Sequence, residues 1–256
     1  MSGIIRKEDL HDECKEYINN LHSNPNLLIN GDFQVWQRGT HFENVAVGKY
    51  QADRWQVVST NGKYLAIVDK VVDGLKITQD TSGGASCVLR YYLEDSDFQR
   101  IKGKVCTISK SIDGVITSSR IIPTTNKIEA PAGANVTVNW VKLELGSVAT
   151  PFIPRPYAEE LALCQRYYES FSGLSMRNKN FGSVSQGSVD TGCFIKFAVT
   201  KRTKPTVAYS YDITDGGNQS GISTSLLSTY GFSPNVSVPA SKFIDVNSYT
   251  ADAEIY

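Results

Sequence analysis

The apolar positions alternate with polar ones along most of the chain, which is the pattern of half-buried strands. Between Leu27 and Leu145, runs such as YLAIVDKVV, CVLRYYL, KVCTISKSI and NVTVNWVKLEL are separated by NG, DG, GG and PAG turns. Strands recur about every ten residues with no helical segment between them, and this spacing favours an antiparallel sandwich or jelly roll.

One strand changes its phase. In NVTVNWVKLEL the apolar positions are Val136, Val138 and Trp140, and then shift to Val141 and the alternate residues after it. An extra residue in a strand turns every later side chain to the other face, so we expect a β-bulge at Trp140-Val141.

Two stretches have helical spacing. Asp9 to Leu21 carries a heptad-like seam, formed by Leu10, Cys14, Tyr17 and Leu21. A helix this short is marginal alone, so the seam packs either against copies of itself or another protein, or against its own domain.

A proline-rich joint leads into the second helix. Pro151, Pro154 and Pro156 restrict the backbone to extended conformations, and Pro156 suits a first helical turn. Beyond it, Leu161, Cys164, Tyr168 and Phe171 form one stripe, which predicts a helix that ends near Gly173.

After this helix, the runs GCFIKFAV, TVAYSYDIT and KFIDVNSYTADAEIY return to strand patterns. The predicted fold class is therefore mainly β: an antiparallel jelly-roll sandwich, a linking α-helix and a smaller C-terminal β-sandwich, preceded by a short N-terminal helix. The predicted domains are residues 1–25, 26–150, 151–173 and 174–256.

Charge and composition narrow the function. The 26 basic residues balance the 26 acidic ones, so no overall field attracts nucleic acid or an anionic membrane. No apolar run approaches the roughly 20 residues of a bilayer span, and the polar N-terminus does not resemble a signal peptide. We expect no nucleic-acid partner and no membrane insertion.

The chain offers little material for metal or cofactor chemistry. Its five cysteines are isolated and are interpreted as buried thiols, and its three histidines all lie in the first 41 residues. We expect no cofactor and no resident metal, although the acidic stretch LEDSDFQ leaves a structural calcium ion open. There is no GxSxG, P-loop or GxGxxG motif, and no carboxylate pair is selected by spacing, so we expect no enzymatic activity.

Aromatic residues beside polar ones are the candidate binding groups. Trp36 lies among glutamines and an arginine, where it either stacks on a sugar or packs at a strand edge, with Arg38 and Arg54 bonded to nearby carboxylates. The C-terminal aromatics Tyr209, Tyr211, Tyr230 and Phe232 lie near Asn-, Ser- and Gly-rich loops, a composition typical of recognition surfaces.

Four segments carry a family resemblance. They are LELGSVATPFIPRPYAEELALCQRYYE, NLLINGDFQVWQRGT, YQADRW and the ending YTADAEIY. Together they resemble a family of tailed-bacteriophage virion proteins, usually described as tail fibre or receptor-binding proteins. The resemblance covers roughly residues 26 to 172 well and the remainder more loosely.

The resemblance implies a carbohydrate-binding-module-like jelly roll, a homotrimer and a place in the virion, made in the cytoplasm of a host bacterium. The N-terminus departs from the family pattern, because residues 1–25 are short and predicted to be helical where a long fibre carries an extended shaft. We therefore expect a short tail or head fibre that adsorbs to a bacterial surface polysaccharide, with residues 1–24 docking on another virion protein. The trimer interface would then use both helical seams: Leu10, Cys14, Tyr17, Leu21, Leu161, Cys164, Tyr168 and Phe171. An architectural capsid or baseplate protein without glycan binding is the alternative.

Overall fold

The computed structural model describes residues 23–45, 48–59, 66–79, 86–179, 188–190, 194–214, 220–237 and 243–255 of the chain. The predicted N-terminal helix, with its seam of Leu10, Cys14, Tyr17 and Leu21, lies outside these residues. The chain divides into two compact units, Met1–Tyr157 and Ala158–Tyr256.

The first unit consists of two antiparallel sheets. Its strands are β1 (His41–Phe42), β2 (Gln56–Ser59), β3 (Ile67–Val71), β4 (Gly74–Thr78), β5 (Cys87–Tyr92), β6 (Cys106–Ile112), β7 (Val115–Ile121), β8 (Lys127–Gly133) and β9 (Val136–Leu145). Six strands pair in the order β1-β3-β4-β9-β6-β7, and three pair as β2-β5-β8.

Side chains from both sheets share one core, so the predicted sandwich is confirmed. Val68 and Ile77 of the larger sheet belong to the same buried cluster as Leu89 and Ile128 of the smaller one. Burial alternates along β5 and β8, because successive side chains of a strand point to opposite faces.

A short helix interrupts the strands of this unit, contrary to the expectation that none lies between Leu27 and Leu145. Helix α1 (Asp95–Ile101) buries Phe98 and Ile101, which are three residues apart and therefore on one face. Asp95 and Asp97 lie in its first turn, where negative charge is favourable. The acidic stretch LEDSDFQ is thus mostly helical.

The predicted bulge in β9 is present, one residue earlier than expected. Ser111 pairs with Trp140 and Ile112 pairs with Val138, so Asn139 is the extra residue. Val138 and Val141 are both buried, as the change of phase requires.

The second helix is shorter than predicted. Helix α2 (Tyr157–Gln165) is followed by strand β10 (Tyr168–Lys179), so Tyr168 and Phe171 are strand residues and Gly173 is not a helix cap. The Tyr167 amide donates to Cys164 O at 2.9 Å and closes the last turn. The aromatic sequence after it favours a strand, and Phe171 pairs with Tyr249.

The second unit is a smaller pair of antiparallel sheets, as predicted. Its further strands are β11 (Ser188–Asp190), β12 (Ile195–Lys196), β13 (Thr206–Thr214), β14 (Ser220–Ser225), β15 (Gly231–Ser237) and β16 (Phe243–Asp252). One sheet has the order β10-β16-β13, and the other has β11-β15-β12 with β14 on β15. Phe232 of β15 and Tyr249 of β16 lie in a common core with Phe197 and Ala251.

Candidate functional site

An open groove of about 690 Å³ lies on the first unit. This volume falls in the range of roughly 300–1,000 Å³ that small-molecule sites occupy. Four segments line it: the turn after Asn30, the β3–β4 hairpin, the β9 bulge and the proline-rich joint. Its lining residues are Asp32, Phe33, Gln34, Lys70, Val71, Val72, Asp73, Gly74, Asn139, Trp140, Phe152, Pro154 and Tyr157.

The β9 bulge brings the strands and hairpins of the groove together. The Asn139 side chain donates to Asp73 O at 3.1 Å and accepts from the Gly114 amide and the Ser111 hydroxyl, both at 3.0 Å. Gly74 is required opposite it, because a Cβ there would lie 2.2 Å from Val138 O, and its φ of 140° suits glycine. Asn139 therefore fixes the β3–β4 hairpin beside Trp140.

The turn after Asn30 forms the next wall. The Asn30 side chain donates to Val35 O and Asp53 O, both at 2.9 Å, which holds the turn closed. A Cβ on Gly31 would lie 2.6 Å from Val141 O and 3.5 Å from the Phe152 ring, so only glycine permits this close packing.

The proline-rich joint is held on β9 by a buried ion pair. Lys142 and Glu144 are 3.3 Å apart, with side chains 1% and 0% exposed. The Lys142 ammonium also donates to Thr150 Oγ1 at 2.7 Å and Pro151 O at 2.8 Å, and Glu144 accepts from the Thr150 amide at 2.9 Å.

Arg155 fixes the other end of the joint. Its guanidinium donates to Leu28 O at 3.2 Å and to Asn26 O. The Asn26 side chain donates to Val141 O at 2.9 Å and accepts from the Leu143 amide at 3.0 Å. Phe152 and Pro154 are thus presented at the groove by a segment that is secured at both ends.

An aromatic surface results from this arrangement. The rings of Trp140 and Phe152 stack nearly parallel, with centroids 4.9 Å apart and an interplanar angle of 6°. Both side chains are half-buried, and Tyr157 is 55% exposed. Flat apolar rings at a groove suit the CH faces of a sugar or another flat apolar ligand.

Polar groups accompany the aromatic surface. Gln34 Nε2 donates to Asp32 Oδ2 at 2.5 Å and to Arg155 O at 3.2 Å, and Lys70 Nζ donates to Gln34 O at 3.1 Å. Burial raises the pKa of the Asp32 carboxyl above its ordinary value, while the hydrogen bond from Gln34 and the Arg155 charge act in the opposite direction. The groove therefore offers both donors and acceptors to a ligand.

Trp36, the binding candidate of the first unit, is not among the lining residues. Its indole N–H donates to Phe33 O at 2.5 Å, and its ring stacks on Phe42 with centroids 6.3 Å apart. The pairing expected for Arg38 is confirmed, since Arg38 lies 3.1 Å from Asp53. Trp36 is partly buried against the core of the first unit and lies outside the strands, so it is not at a strand edge.

The C-terminal aromatics separate into core and surface. Phe232 is 0% exposed, so its assignment to a glycan surface is wrong. Tyr209 is half-buried against Phe232, and its hydroxyl lies 2.9 Å from Thr224 Oγ1. Tyr230 is 62% exposed and stays a candidate, and the Tyr211 side chain lies outside the described part.

The predicted trimer interface also needs correction. Cys164 is buried within its own chain and is not available to a second copy. Tyr168 and Phe171 belong to β10, so they share no helical stripe with Leu161. Phe171 is 44% exposed and Leu161 is half-buried, and their role in a trimer stays a prediction.

The cysteines follow the interpretation as buried thiols where they are described. Cys87, Cys106 and Cys164 are buried, and desolvation raises the pKa of the Cys87 thiol to about 11. Within the described ranges, no group of three or more His, Cys, Asp or Glu side chains is placed to hold a metal ion. None of the described helices is long and apolar enough to cross a membrane.

Comparisons with known proteins identify no family. No family model matches the chain, and no curated protein matches it. Among solved structures, the native recombinant discoidin II of Dictyostelium discoideum matches with a TM-score of 0.29 and 10% identity, covering 78% of this chain and 96% of that one. The wild-type discoidin II from the same organism gives 0.28 and 12%, covering 77% and 93%. TM-scores this low carry no argument about fold or function.

Sequence patterns missed Trp140, Phe152 and Tyr157 as candidate binding residues. One signal was available for Trp140, because bulges often re-aim side chains next to functional sites. For Phe152, the signal was its position between Pro151 and Pro154. A segment so rich in proline pairs with no strand that would cover the Phe152 ring.

Proposed function

We propose that the protein binds a bacterial surface glycan and that the sugar lies in the groove of the first unit. The observation that carries this proposal is the stacked Trp140–Phe152 pair, which adjoins exposed Tyr157 in a groove with polar groups on the same rim. A sugar needs an apolar platform for its CH face and donors and acceptors for its hydroxyls.

We further propose that this binding serves adsorption of a bacteriophage, with the chain acting as a short tail or head fibre of the virion. The sequence resemblance in residues 26 to 172 supports this role. The proposed assembly is a homotrimer, in which three linked weak sites raise avidity without new contacts.

The N-terminal segment is the proposed docking element on the virion. We exclude Ser23 and Asn24 from the docking segment, because both are bonded to the proline-rich joint. The Ser23 hydroxyl donates to Pro151 O at 2.6 Å, and the Asn24 amide donates to Thr150 Oγ1 at 3.1 Å. Deleting residues 1–22 therefore should remove docking on the particle without disturbing the joint. Light scattering after size exclusion tests whether the trimer survives.

Binding is tested on the purified full-length protein with a glycan array and whole bacterial cells, with reducing-sugar release followed in the same wells. Tyr157→Ala and Trp140→Ala should weaken binding by at least about tenfold, the equivalent of 1.4 kcal/mol. Tyr230→Ala changes the exposed aromatic candidate of the second unit and therefore tests the competing position of the site.

The pattern of losses separates the possibilities. If only Tyr230→Ala weakens binding, the site lies in the second unit and the groove assignment is wrong. Silence of the wild-type protein on every glycan and cell contradicts the adhesin and favours an architectural role in the virion. Sugar release would contradict a purely binding function.

A further inference from the structure

The rim of the groove carries aliphatic side chains in addition to its aromatic surface. Val72, at the tip of the β3–β4 hairpin, is fully exposed at 101%, and Val71 and Pro154 also line the groove. An unsubstituted hexose presents hydroxyls around its edge, and a hydroxyl pressed against such groups without a partner costs about 1–3 kcal/mol. The rim therefore suits a sugar with an apolar substituent.

The charged lining disfavours an acidic sugar. Asp32 and Asp73 are the carboxylates of the groove lining, and Lys70 is its one ammonium. A uronic acid or a phosphate would lie near two carboxylates and one ammonium. Nearby negative charges disfavour the ionised form of such a ligand. The groove therefore favours an uncharged ligand.

The β3–β4 hairpin places a donor and an acceptor beside Val72. Lys70 Nζ donates to Gln34 O and retains further protons, because an ammonium has three donors. Asp73 is held through its backbone oxygen by Asn139, and within the described residues no side-chain or backbone donor contacts its carboxylate. A ligand can thus meet a positive donor, a carboxylate acceptor and an isopropyl group on four consecutive residues.

We propose that the groove recognises an uncharged N-acetylhexosamine, a substrate class that rests on the glycan-binding function proposed above. The acetamido carbonyl accepts from Lys70, its N–H donates to Asp73, and its methyl group packs against Val72. The sugar ring stacks on the aromatic surface of Trp140, Phe152 and Tyr157. No covalent step is involved.

The test uses saturation-transfer NMR on the full-length protein with the methyl glycosides of N-acetylglucosamine, N-acetylgalactosamine, glucose, galactose and glucuronic acid. We expect an N-acetylated glycoside to bind at least about tenfold more tightly than its parent hexose. Saturation should be strongest at the acetyl methyl group. Glucuronide should give no transfer.

Two variants locate the acetamido contacts. Asp73→Asn and Val72→Ser should reduce affinity for the N-acetylated glycosides and leave that for the parent hexoses unchanged. Val115→Ser is the control, because Val115 is exposed by 64% on β7 and does not line the groove.

The outcomes distinguish the two levels of the proposal. Equal binding of glucose and N-acetylglucosamine, lost in Tyr157→Ala, overturns the acetamido assignment and leaves the glycan-binding groove standing. Preferential binding of glucuronide also overturns it. Binding of no glycoside, together with silence on the array, overturns the glycan-binding function itself.

Discussion

Replacing Lys142 by methionine tests whether the buried ion pair holds the proline-rich joint. The substitution removes the partner of Glu144, whose side chain is 0% exposed, and also removes the donors to Thr150 and Pro151. Breaking a buried pair by deleting one partner costs about 3–5 kcal/mol, because the remaining charge is left in a poorly solvated site. A domain has only about 5–15 kcal/mol of total stability, so the loss should be easy to measure.

Urea unfolding followed by tryptophan fluorescence isolates this effect. The chain has three tryptophans, Trp36, Trp55 and Trp140, and all lie in the first unit. Their fluorescence therefore reports the unfolding of that unit. The Lys142→Met variant should unfold at lower urea and should also lose glycan binding, since Phe152 and Pro154 are no longer held at the groove.

Two further variants make the result decisive. Lys110→Met removes a half-buried ammonium that donates to Pro131 O, and it should cost no more than about 1.5–3 kcal/mol, as for a hydrogen bond of a charged group, because it leaves no buried carboxylate without a partner. The double variant Lys142→Met with Glu144→Met should recover much of the loss, because no buried charge remains. If Lys142→Met changes the free energy of unfolding by less than about 1 kcal/mol, the ion pair does not secure the joint.

Three other outcomes follow from the same structure. Lys201 is buried with its ammonium 2.6 Å from Glu169 Oε2. Glu169→Gln should therefore destabilise the second unit by about 3–5 kcal/mol in thermal unfolding, because the buried ammonium loses its anionic partner. Phe232→Ala should cost about 3–5 kcal/mol by the same assay, whereas a change near zero would contradict its place in the core. Hydrogen bonds to Asp69 and then to Glu43 raise the pKa of His41, so protonated His41 favours the folded state. The contribution of His41 to the stability of the folded state is fully present below its ordinary pKa of 6.5. It is lost as the pH rises through the higher pKa of the folded state, and NMR titration of the β1–β3 amides should show this loss.

The strands and the bulge were predictable because their signal is local. A side-chain period of two makes the change of phase after Val138 visible in the sequence. Only the predicted position of the bulge was wrong, by one residue, because the extra residue is Asn139. Helix α1 was missed because its signal is two apolar residues among acidic ones, Phe98 and Ile101.

The prediction that Tyr168 and Phe171 continue the helical stripe was wrong for a different reason. Tyr168 and Phe171 have the spacing of a helix face, but they follow a turn and pair with β16, whose residues are about 80 positions away in the sequence. Tertiary pairing decided the structure of this segment, and no pattern within it records that pairing.

The groove could not be predicted as a site, because its parts are remote in the sequence. Asp32, Asp73 and Trp140 become neighbours only once β4 pairs with β9 and the Val141 amide donates to Gly31 O. Aromatic composition alone pointed to the C-terminal loops, where Phe232 belongs to the core.

The rigidity of the joint has a physical explanation within the first unit. A segment that crosses the end of β9 without joining a sheet would leave backbone N–H groups without partners, and prolines at 151, 154 and 156 remove three of these donors. The carbonyls that remain at Thr150 and Pro151 are bonded to Lys142. The joint can therefore keep Phe152 at the groove and Ile153 61% exposed without an additional strand to support them. Because these side chains are already ordered, a ligand that stacks on them loses less free energy to ordering than it would on a flexible loop.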